Sequence, residues 1–587
     1  MEPILGIDLG TTNSEVAVIR NNKAEVLFED GEALLPSVVG LDADGRLLVG
    51  APARNQWVLA PERTVRSIKR RMGTADVVQL GDQQYTPQEI SAFILRNLKE
   101  RAEKQLGQPV HKAVITVPAF FNETQREATR EAGELAGLEV VRIINEPTAA
   151  SLTYNPHPEK MERLLVYDLG GGTFDVSIVQ IEQGVVEVLS SHGDTHLGGD
   201  DFDQLLADFV CDGFFQEHDV DLRKSLTTKS RVLRAVEEAK KRLSSEPAVQ
   251  IEEEFIAEKR GAPLHLRREL RRNEYEKLIE PLLTKTLKCV DQALSDSKLN
   301  ANQIDKVILV GGASRTPLVH EMLQSQLGQP IHAEVDPDLC VAMGAAVQGG
   351  LIAGIDVGPV LVDITPHTLG IQALGEIDGR PSQYRFVSLI ERNTPLPSRR
   401  SEIFSTVLDG QKAAHISVFQ GESNDVRLTD IVGDFVLDGL AKVDAGNEVL
   451  VQFDLDLDGI LKVSATERTT GLQKQLTIDN AVTRFRAGNR QEALARVEST
   501  FLGGSAAAPA AMESAAELPT EMAQLIDRCE QLIAKSEQLV GQSNPADAAE
   551  MRQLVKQMRE AMARRSQADM EGIISQLEDL VFYLQDA

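Results

Sequence analysis

Asp8-Leu9-Gly10-Thr11-Thr12-Asn13 and Asp168-Leu169-Gly170-Gly171-Gly172-Thr173-Phe174-Asp175 are two versions of one device. Each closes a short apolar run, Ile4–Ile7 in the first case and Leu164–Tyr167 in the second, and each leads into another strand-like run. A strand that ends in Asp and turns through Gly and Thr makes a tight hairpin whose backbone amides face a concavity and bind phosphate oxygens. One such turn is equally well explained as an ordinary hairpin. Two of them, about 160 positions apart, imply a duplicated domain that clamps one polyphosphate from both sides. Asp8 and Asp168 would then face the phosphates and repel them unless a hard cation such as Mg²⁺, keeping several of its waters, lies between. A third strand-turn, Val307–Val310 followed by Gly311-Gly312-Ala313-Ser314-Arg315, lets backbone approach a ribose or adenine closely and offers Arg315 for stacking.

Outward from these turns, strands such as Lys112–Val117, Leu164–Asp168 and Lys306–Val310 alternate with amphipathic helices such as Pro87–Gln105 and Lys229–Leu243, which makes residues 1–355 an α/β region. From about 368 to 485 the helical period is lost. Alternating runs such as His415–Phe419 and Val449–Leu455, separated by Asp-Gly pairs at 409–410, 438–439 and 458–459, predict a β-sandwich. Residues 356–367 join the two, 486–502 resume a helical period, and 503–518 form a small-residue tether. Beyond it, 519–587 carries three apolar stripes at helical spacing, led by Met522, Met551 and Met570, and predicts a small helical bundle.

With 587 residues and 42% hydrophobic composition the chain exceeds one core and divides into several units. A net charge of −28 repels nucleic acid. The start lacks a secretory pattern and no apolar run approaches the ~20 residues of a membrane span, so the expected location is the cytoplasm. Cys211, Cys289, Cys340 and Cys529 lie far apart without metal-site spacing and read as packed thiols in a reducing compartment.

The two hairpins resemble the actin, sugar-kinase and heat-shock ATPase superfamily. Three longer strings narrow the resemblance to DnaK-like chaperones of the seventy-kilodalton heat-shock family: Ala113–Asn122 (AVITVPAFFN), Arg142–Ala150 (RIINEPTAA) and Gly193–Asp203 (GDTHLGGDDFD). The resemblance runs from residue 4 to about 500. It implies a multi-domain fold: an actin-like, ribonuclease-H-like duplicated α/β ATPase domain, an all-β peptide-binding sandwich and a C-terminal α-helical segment. The implied activity is ATP hydrolysis with Mg²⁺, and K⁺ as a further candidate ion, coupled to capture and release of unfolded polypeptides in protein folding and stress response. J-domain cochaperones are implied partners; an exchange factor is left open.

Residue by residue, Lys69 matches the lysine that positions the γ-phosphate and attacking water, although its basic surroundings otherwise read as a solvated surface. Glu146, Asp168 and Thr173 match residues that order the γ-phosphate and, with Asp8, a water-coordinated Mg²⁺. Asp8, Gly10, Thr11, Thr12 and Asn13 match the first phosphate loop, and Gly170, Gly171, Gly172 and Thr173 the second. Gly198, Gly199, Gly311, Gly312, Ser314, Arg315 and Asp338 complete the implied nucleotide set. Glu237, Lys240, Lys241 and Ser244 match the adenine helix, though by spacing alone they are a polar helix face.

Pro118 and Arg126 match a proline switch and an arginine relay, and Arg142 lies where J-domain cochaperones touch. Val360-Leu361-Val362-Asp363 resembles the family's apolar linker, a short strand able to join a sheet edge in one nucleotide state and leave it in another. It is one residue shorter than usual and follows Gly358-Pro359, so the resemblance does not fix its docking register. In the β region Ile371, Phe404, Ile416 and Ile460 match pocket-lining positions, Leu374 and Val407 match the arch over a bound peptide, and Ala414 occupies a position usually larger. Taken singly, each is an ordinary sandwich residue.

A shortened segment from Lys69 to Ala113, the acidic Glu252-Glu253-Glu254 and a lid helix interrupted at Gly503-Gly504 point to the HscC branch. Two other classes compete: a nucleotide-dependent binder without productive hydrolysis, and a sugar kinase. Lys69, Thr173 and the linker argue against the first, and the β-sandwich against the second.

Overall fold

The computed structural model describes residues 2–154, 160–328, 331–332, 336–477 and 487–501, together with 554, 555, 574 and 577. Two sheets of the α/β region share one plan. In the first the strand order is Lys23–Val26, Asn13–Arg20, Ile4–Asp8, Lys112–Val117, Glu139–Asn145. In the second it is Val185–Asp194, Phe174–Glu182, Glu162–Leu169, Lys306–Val310, Ile331–His332. In both, the first three strands run antiparallel and the last two are parallel. The duplication inferred from the hairpins is therefore a duplication of topology.

Capping chemistry sets the helices between these strands. Thr86 and Glu89 form a reciprocal capping box that starts Pro87–Leu106, and Gly107 ends it; Asn122 and Gln125 do the same for the start of Glu123–Leu135. The Lys112–Val117 and Lys306–Val310 strands have the predicted bounds, while the Glu162–Leu169 strand and the Leu226–Leu243 helix extend beyond the predicted ones. Each half has its own apolar core, one around Phe93, Leu95 and Phe121 and the other around Phe174, Phe202 and Tyr275.

Residues 369–477 form two four-stranded antiparallel sheets. Ile371, Ile416 and Val418 on one meet Val451, Phe453 and Val463 on the other. The Asp-Gly pair at 458–459 turns between Glu448–Leu455 and Leu461–Glu467.

The sandwich is held against the α/β region by charged contacts. Asp458 lies 2.9 Å from Arg130 and 3.1 Å from Arg142, and Arg392 lies 2.8 Å from Asp296. The linker adds a sixth strand to the second sheet, with Val360, Leu361 and Val362 running parallel to Val185, Val186 and Glu187. The helix Ala487–Phe501, expected to begin a lid, lies on the Pro87–Leu106 helix. Ala493 and Val497 enter the first core, Arg496 bonds the buried Glu89 at 2.8 Å, and Thr500 meets Tyr85 at 3.1 Å. Residues 506–587 form a second compact unit, in which Leu554, Val555, Ile574 and Leu577 are helical and buried. The tether and the rest of the predicted stripes lie outside the described residues. Among the described residues no helix is long and apolar enough to cross a membrane. Cys211 and Cys340 are buried and Cys289 is half-buried, and Cys529 is outside the description.

One half-buried histidine seals the junction between sandwich and sheet. His367 donates from Nε2 to the Phe120 carbonyl at 3.2 Å and stands edge-on to the Phe120 ring, whose other face stacks on His192. Burial pushes the His367 imidazole down to about 4, an effect that its carbonyl acceptor opposes and that Arg126 and His192 reinforce. Protonation therefore favours the undocked state. The contribution of this contact to docking is complete above pH 6.5 and falls by about 1.4 kcal/mol per unit as pH drops from there towards 4. Proteolytic nicking of the linker should rise between pH 7 and pH 5, and His367→Leu should remove that dependence; a linker equally protected at both pH values in the unaltered protein contradicts the assignment.

Candidate functional site

The two Gly-Thr hairpins meet face to face where the sheets adjoin. A Cβ added to Gly171 would lie 1.9 Å from Thr12 Oγ1, so only glycine permits this approach. Gly170 N donates to Thr173 O across the second turn, and Gly199 N and Asp200 N donate to the carbonyls of Gly170 and Gly171, tying the next helix to that hairpin. Gly311, at φ +79°, brings the third turn against the Leu169 carbonyl. Between the turns lies a cavity of about 90 Å³ lined by Asp8, Gly10, Thr11, Thr12, Asn13, Lys69, Glu146, Asp168, Gly170, Gly171, Thr173, Gly311, Gly312 and Asp338. It opens into a cleft of about 760 Å³ that shares Thr12, Asn13, Gly171, Gly312 and Asp338 and adds Gly199, Glu237, Lys240, Lys241 and Arg315. Nearly all the residues predicted for nucleotide binding are thus brought to one continuous space. Gly172, Gly198, Ser244 and Ser314 line neither cavity; Ser314 is buried and donates to Gly311 O, shaping the third turn from behind.

The electrostatics of the inner cavity are dominated by acids. Asp8 accepts from Thr116 Oγ1 at 2.6 Å, Asp175 accepts from Phe120 N at 3.0 Å, and Glu146 is paired with Lys69. Burial raises Asp8 above the usual carboxylate range and carries Asp168 well above it, with Glu146, Asp175 and Asp8 repelling the latter further. The same burial brings Glu146 and Asp175 to about 7. Burial alone would lower Lys69, but the attraction of Glu146, Asp8 and Asp168 outweighs it and holds the ammonium charged. Lys69 is only 3% exposed, so the surface reading of its basic run is wrong; the chain turns it inward.

This donor set fits a hydrated Mg²⁺. Among the described residues no three His, Cys, Asp or Glu side chains converge closely enough to bind a metal directly. Asp8 and Asp168 instead present carboxylates to a space with one lysine for counter-charge, the chemistry that suits a cation keeping its waters. Asp175, Thr116 and Glu15 escaped assignment from sequence. Asp175 closes the second Asp-hairpin and was legible as its partner acid, whereas Glu15, whose buried Oε2 has no hydrogen-bond partner among the described residues and whose acid is raised by burial to about 10, reads from sequence as an exposed strand residue.

At the outer end of the cleft Lys240 donates to Gly199 O and pairs with Asp203 at 2.8 Å, Lys241 pairs with Glu237 at 2.7 Å, and Arg315 pairs with Asp338 at 2.6 Å. Away from it, Arg126 donates to Ala119 O and to Asn145 Oδ1, and Asn145 Nδ2 donates to Asp363 at the end of the linker. Pro118 begins the loop whose Ala119 and Phe120 carry these contacts. In the sandwich Ile371 and Ile416 are buried together with Phe404 and Ala414 packed against them, Ile460 is half-buried, and Leu374 and Val407 remain 59% and 55% exposed.

The Hsp70 protein family model matches residues 4–79 and 74–586. The chaperone protein DnaK of Halobacterium salinarum, in each of two strains, is 45% identical over 481 residues, which span 81% of this chain and 75% of the relative.

Because the hairpins touch at Gly171, Gly171→Ala should drive Thr12 off its position and weaken ATP binding by at least about tenfold, or ~1.4 kcal/mol, without unfolding the chain. Equilibrium titration with ATP checks this, and unchanged affinity would show that the hairpins can part at no cost.

Proposed function

The chain belongs to the Hsp70 family and is an ATP-dependent chaperone, and from this premise we propose that Lys69, Glu146, Asp168 and Thr173 carry hydrolysis while the Val360–Asp363 linker reports it to the peptide-binding sandwich. As a member of the family it hydrolyses ATP with Mg²⁺, binds unfolded polypeptides and works with J-domain cochaperones in protein folding and the stress response. Mg²⁺, when bound, offsets the charge of the phosphates against Asp8 and Asp168. Backbone amides of the Gly10–Asn13 and Gly170–Thr173 turns hold phosphate oxygens, and Thr173 orients the terminal one. Lys69, kept charged by Glu146, sits beside the bond to be broken and aligns an in-line water. K⁺ would share the acidic cavity. Glu237, Lys240, Lys241, Ser244 and Arg315 hold the adenosine end.

The observation that carries the coupling is the linker strand itself. It lies on Val185–Asp194, the neighbour of the strand that begins directly after Thr173, so a change at the hairpin is two strands from the linker. A second route leads from Asp175 through Phe120 to the Ala119 carbonyl, Arg126, Asn145 and Asp363. Peptide then binds in extended form over the Ile371, Phe404, Ala414, Ile416 and Ile460 pocket beneath the Leu374 and Val407 arch. Arg142 is the proposed point of contact with a J-domain, and its pairing with Asp458 makes that contact compete with sandwich docking.

Lys69→Ala should lower turnover by of order a hundredfold while ATP affinity changes by less than about threefold, as measured by single-turnover hydrolysis and equilibrium binding. Replacing Val360, Leu361 and Val362 by polar residues should leave basal hydrolysis intact and abolish its stimulation by an unfolded peptide. Undiminished stimulation in that variant would remove the linker from the coupling.

A further inference from the structure

Arg66, Ser67 and Arg70 flank Lys69 in the chain, and all three reach across the cleft to the other half of the ATPase region. Ser67 Oγ donates to Asp200 Oδ2, and Arg66 lies 3.6 Å from Asp200 and 3.8 Å from Glu237. Arg70 donates to Asp201 at 3.0 Å and to the His196 carbonyl at 2.9 Å. Ser67 precedes the 3-10 turn Ile68–Arg71, and its hydroxyl and the Arg70 guanidinium reach the opposite half while Lys69 turns to Glu146. The opposite half therefore grips the turn on both sides of Lys69, while Lys69 itself enters the phosphate cavity against Glu146.

Two further observations show that the grip is tight. Ser67 is held at φ 54°, a left-handed conformation that is unfavourable for a non-glycine residue and persists only where the surroundings impose it. Arg66 is fixed from behind as well, its guanidinium stacked 4.5 Å over the Trp57 ring. Asp200 also belongs to the phosphate machinery through its backbone, since its amide donates to the Gly171 carbonyl of the second hairpin at 2.7 Å. One residue thus ties the hairpin that holds phosphate to the turn that carries the lysine.

We propose that Asp200 and Asp201 are positioning residues for hydrolysis, which place Lys69 at the phosphate through Ser67, Arg66 and Arg70 only when the two halves of the cleft are closed. Lysine has a long, flexible stem, and its turn belongs to the first half while the Gly170–Thr173 hairpin belongs to the second. Without a bond between the turn and that hairpin, each small opening of the cleft would withdraw the ammonium from the reacting centre, and a misplacement of about 1 Å costs of order a hundredfold in rate. The carboxylates make the lysine's position a function of closure. This inference rests on the assignment of Lys69 to γ-phosphate chemistry.

The test uses the full chain loaded with Mg²⁺ and ATP, and compares Asp200→Asn, Ser67→Gly, Lys69→Ala and the Asp200→Asn/Lys69→Ala pair. Ser67→Gly removes the hydroxyl where the backbone already suits glycine, so its effect is free of folding damage. Asp200→Asn and Ser67→Gly should each slow single-turnover hydrolysis by about tenfold or more while nucleotide dissociation changes by less than about threefold. In the Lys69→Ala background Asp200→Asn should add no further slowing, because the residue it positions is gone. Emission from Trp57, the chain's single tryptophan, should respond to ATP in Lys69→Ala as in the unaltered protein and respond less in Asp200→Asn. Multiplicative slowing in the double variant, or faster nucleotide loss with unchanged hydrolysis, would overturn the positioning role and leave Lys69 in place. A Lys69→Ala protein that hydrolyses ATP at the normal rate would instead remove the premise.

Discussion

An excess of buried negative charge, collected where the two sheets adjoin, is the constraint around which this molecule is arranged. Glu146, Asp168 and Asp175 are buried and Asp8 is half-buried around one lysine, and Glu15 lies beside them. Burying like charges is costly unless protons, metals or opposite charges compensate. Burial shifts these carboxyl groups towards their protonated forms, which is that cost expressed as a pKa. On the proposed reading a cation and a polyphosphate would satisfy the cavity together, the metal offsetting the carboxylates and the turn amides holding the phosphate. On that reading the closure of the two halves of the cleft depends on the ligand.

The path outward from this site uses short, fully bonded steps. Asp175 holds the Phe120 amide, the neighbouring Ala119 carbonyl takes Arg126, and Arg126 reaches the linker through Asn145. Each step is a hydrogen bond with a definite partner, buried at Arg126 and part-buried at the two ends, so little of a change at one end is absorbed by solvent. The sandwich, by contrast, is fastened by partly buried ion pairs at Asp458 and Asp296, whose attraction is offset by the cost of desolvating the charges, so that they can be exchanged. A rigid relay ending in a releasable dock is suited to reporting a state without locking it.

Much of this was legible in the sequence, for reasons that differ from element to element. The hairpins were readable because an Asp-ended strand, glycine and threonine specify a local shape, and strands such as Lys112–Val117 were readable because apolar runs have sharp ends. Lys69 was not readable from its neighbours, since Arg70 and Arg71 make the segment look solvated; only the resemblance singled it out, and the structure turns it inward while Arg70 faces across the cleft. Asp458 was visible as half of a turn, but its pairing with Arg130 joins residues over three hundred positions apart, beyond any local pattern. The register of the linker and the seat of the Ala487–Phe501 helix were hidden for the same reason, because an apolar face declares that it has a partner without naming it.

The docked linker has a consequence for the solubility of the protein at its work. Three linker residues cover one end of the outer edge of the second sheet, and when they leave, edge-facing groups such as the Gly184 carbonyl, which accepts from Val360 N, are bared. A bare edge is a template for any extended chain, and a chaperone meets extended chains as its cargo. The covering strand is tethered to the same molecule at an effective concentration in the millimolar range, above that of most free segments. Its brevity limits how strongly it holds and its tether ensures that it returns first, so the protein can expose an adhesive edge in every cycle without being captured by its own clients.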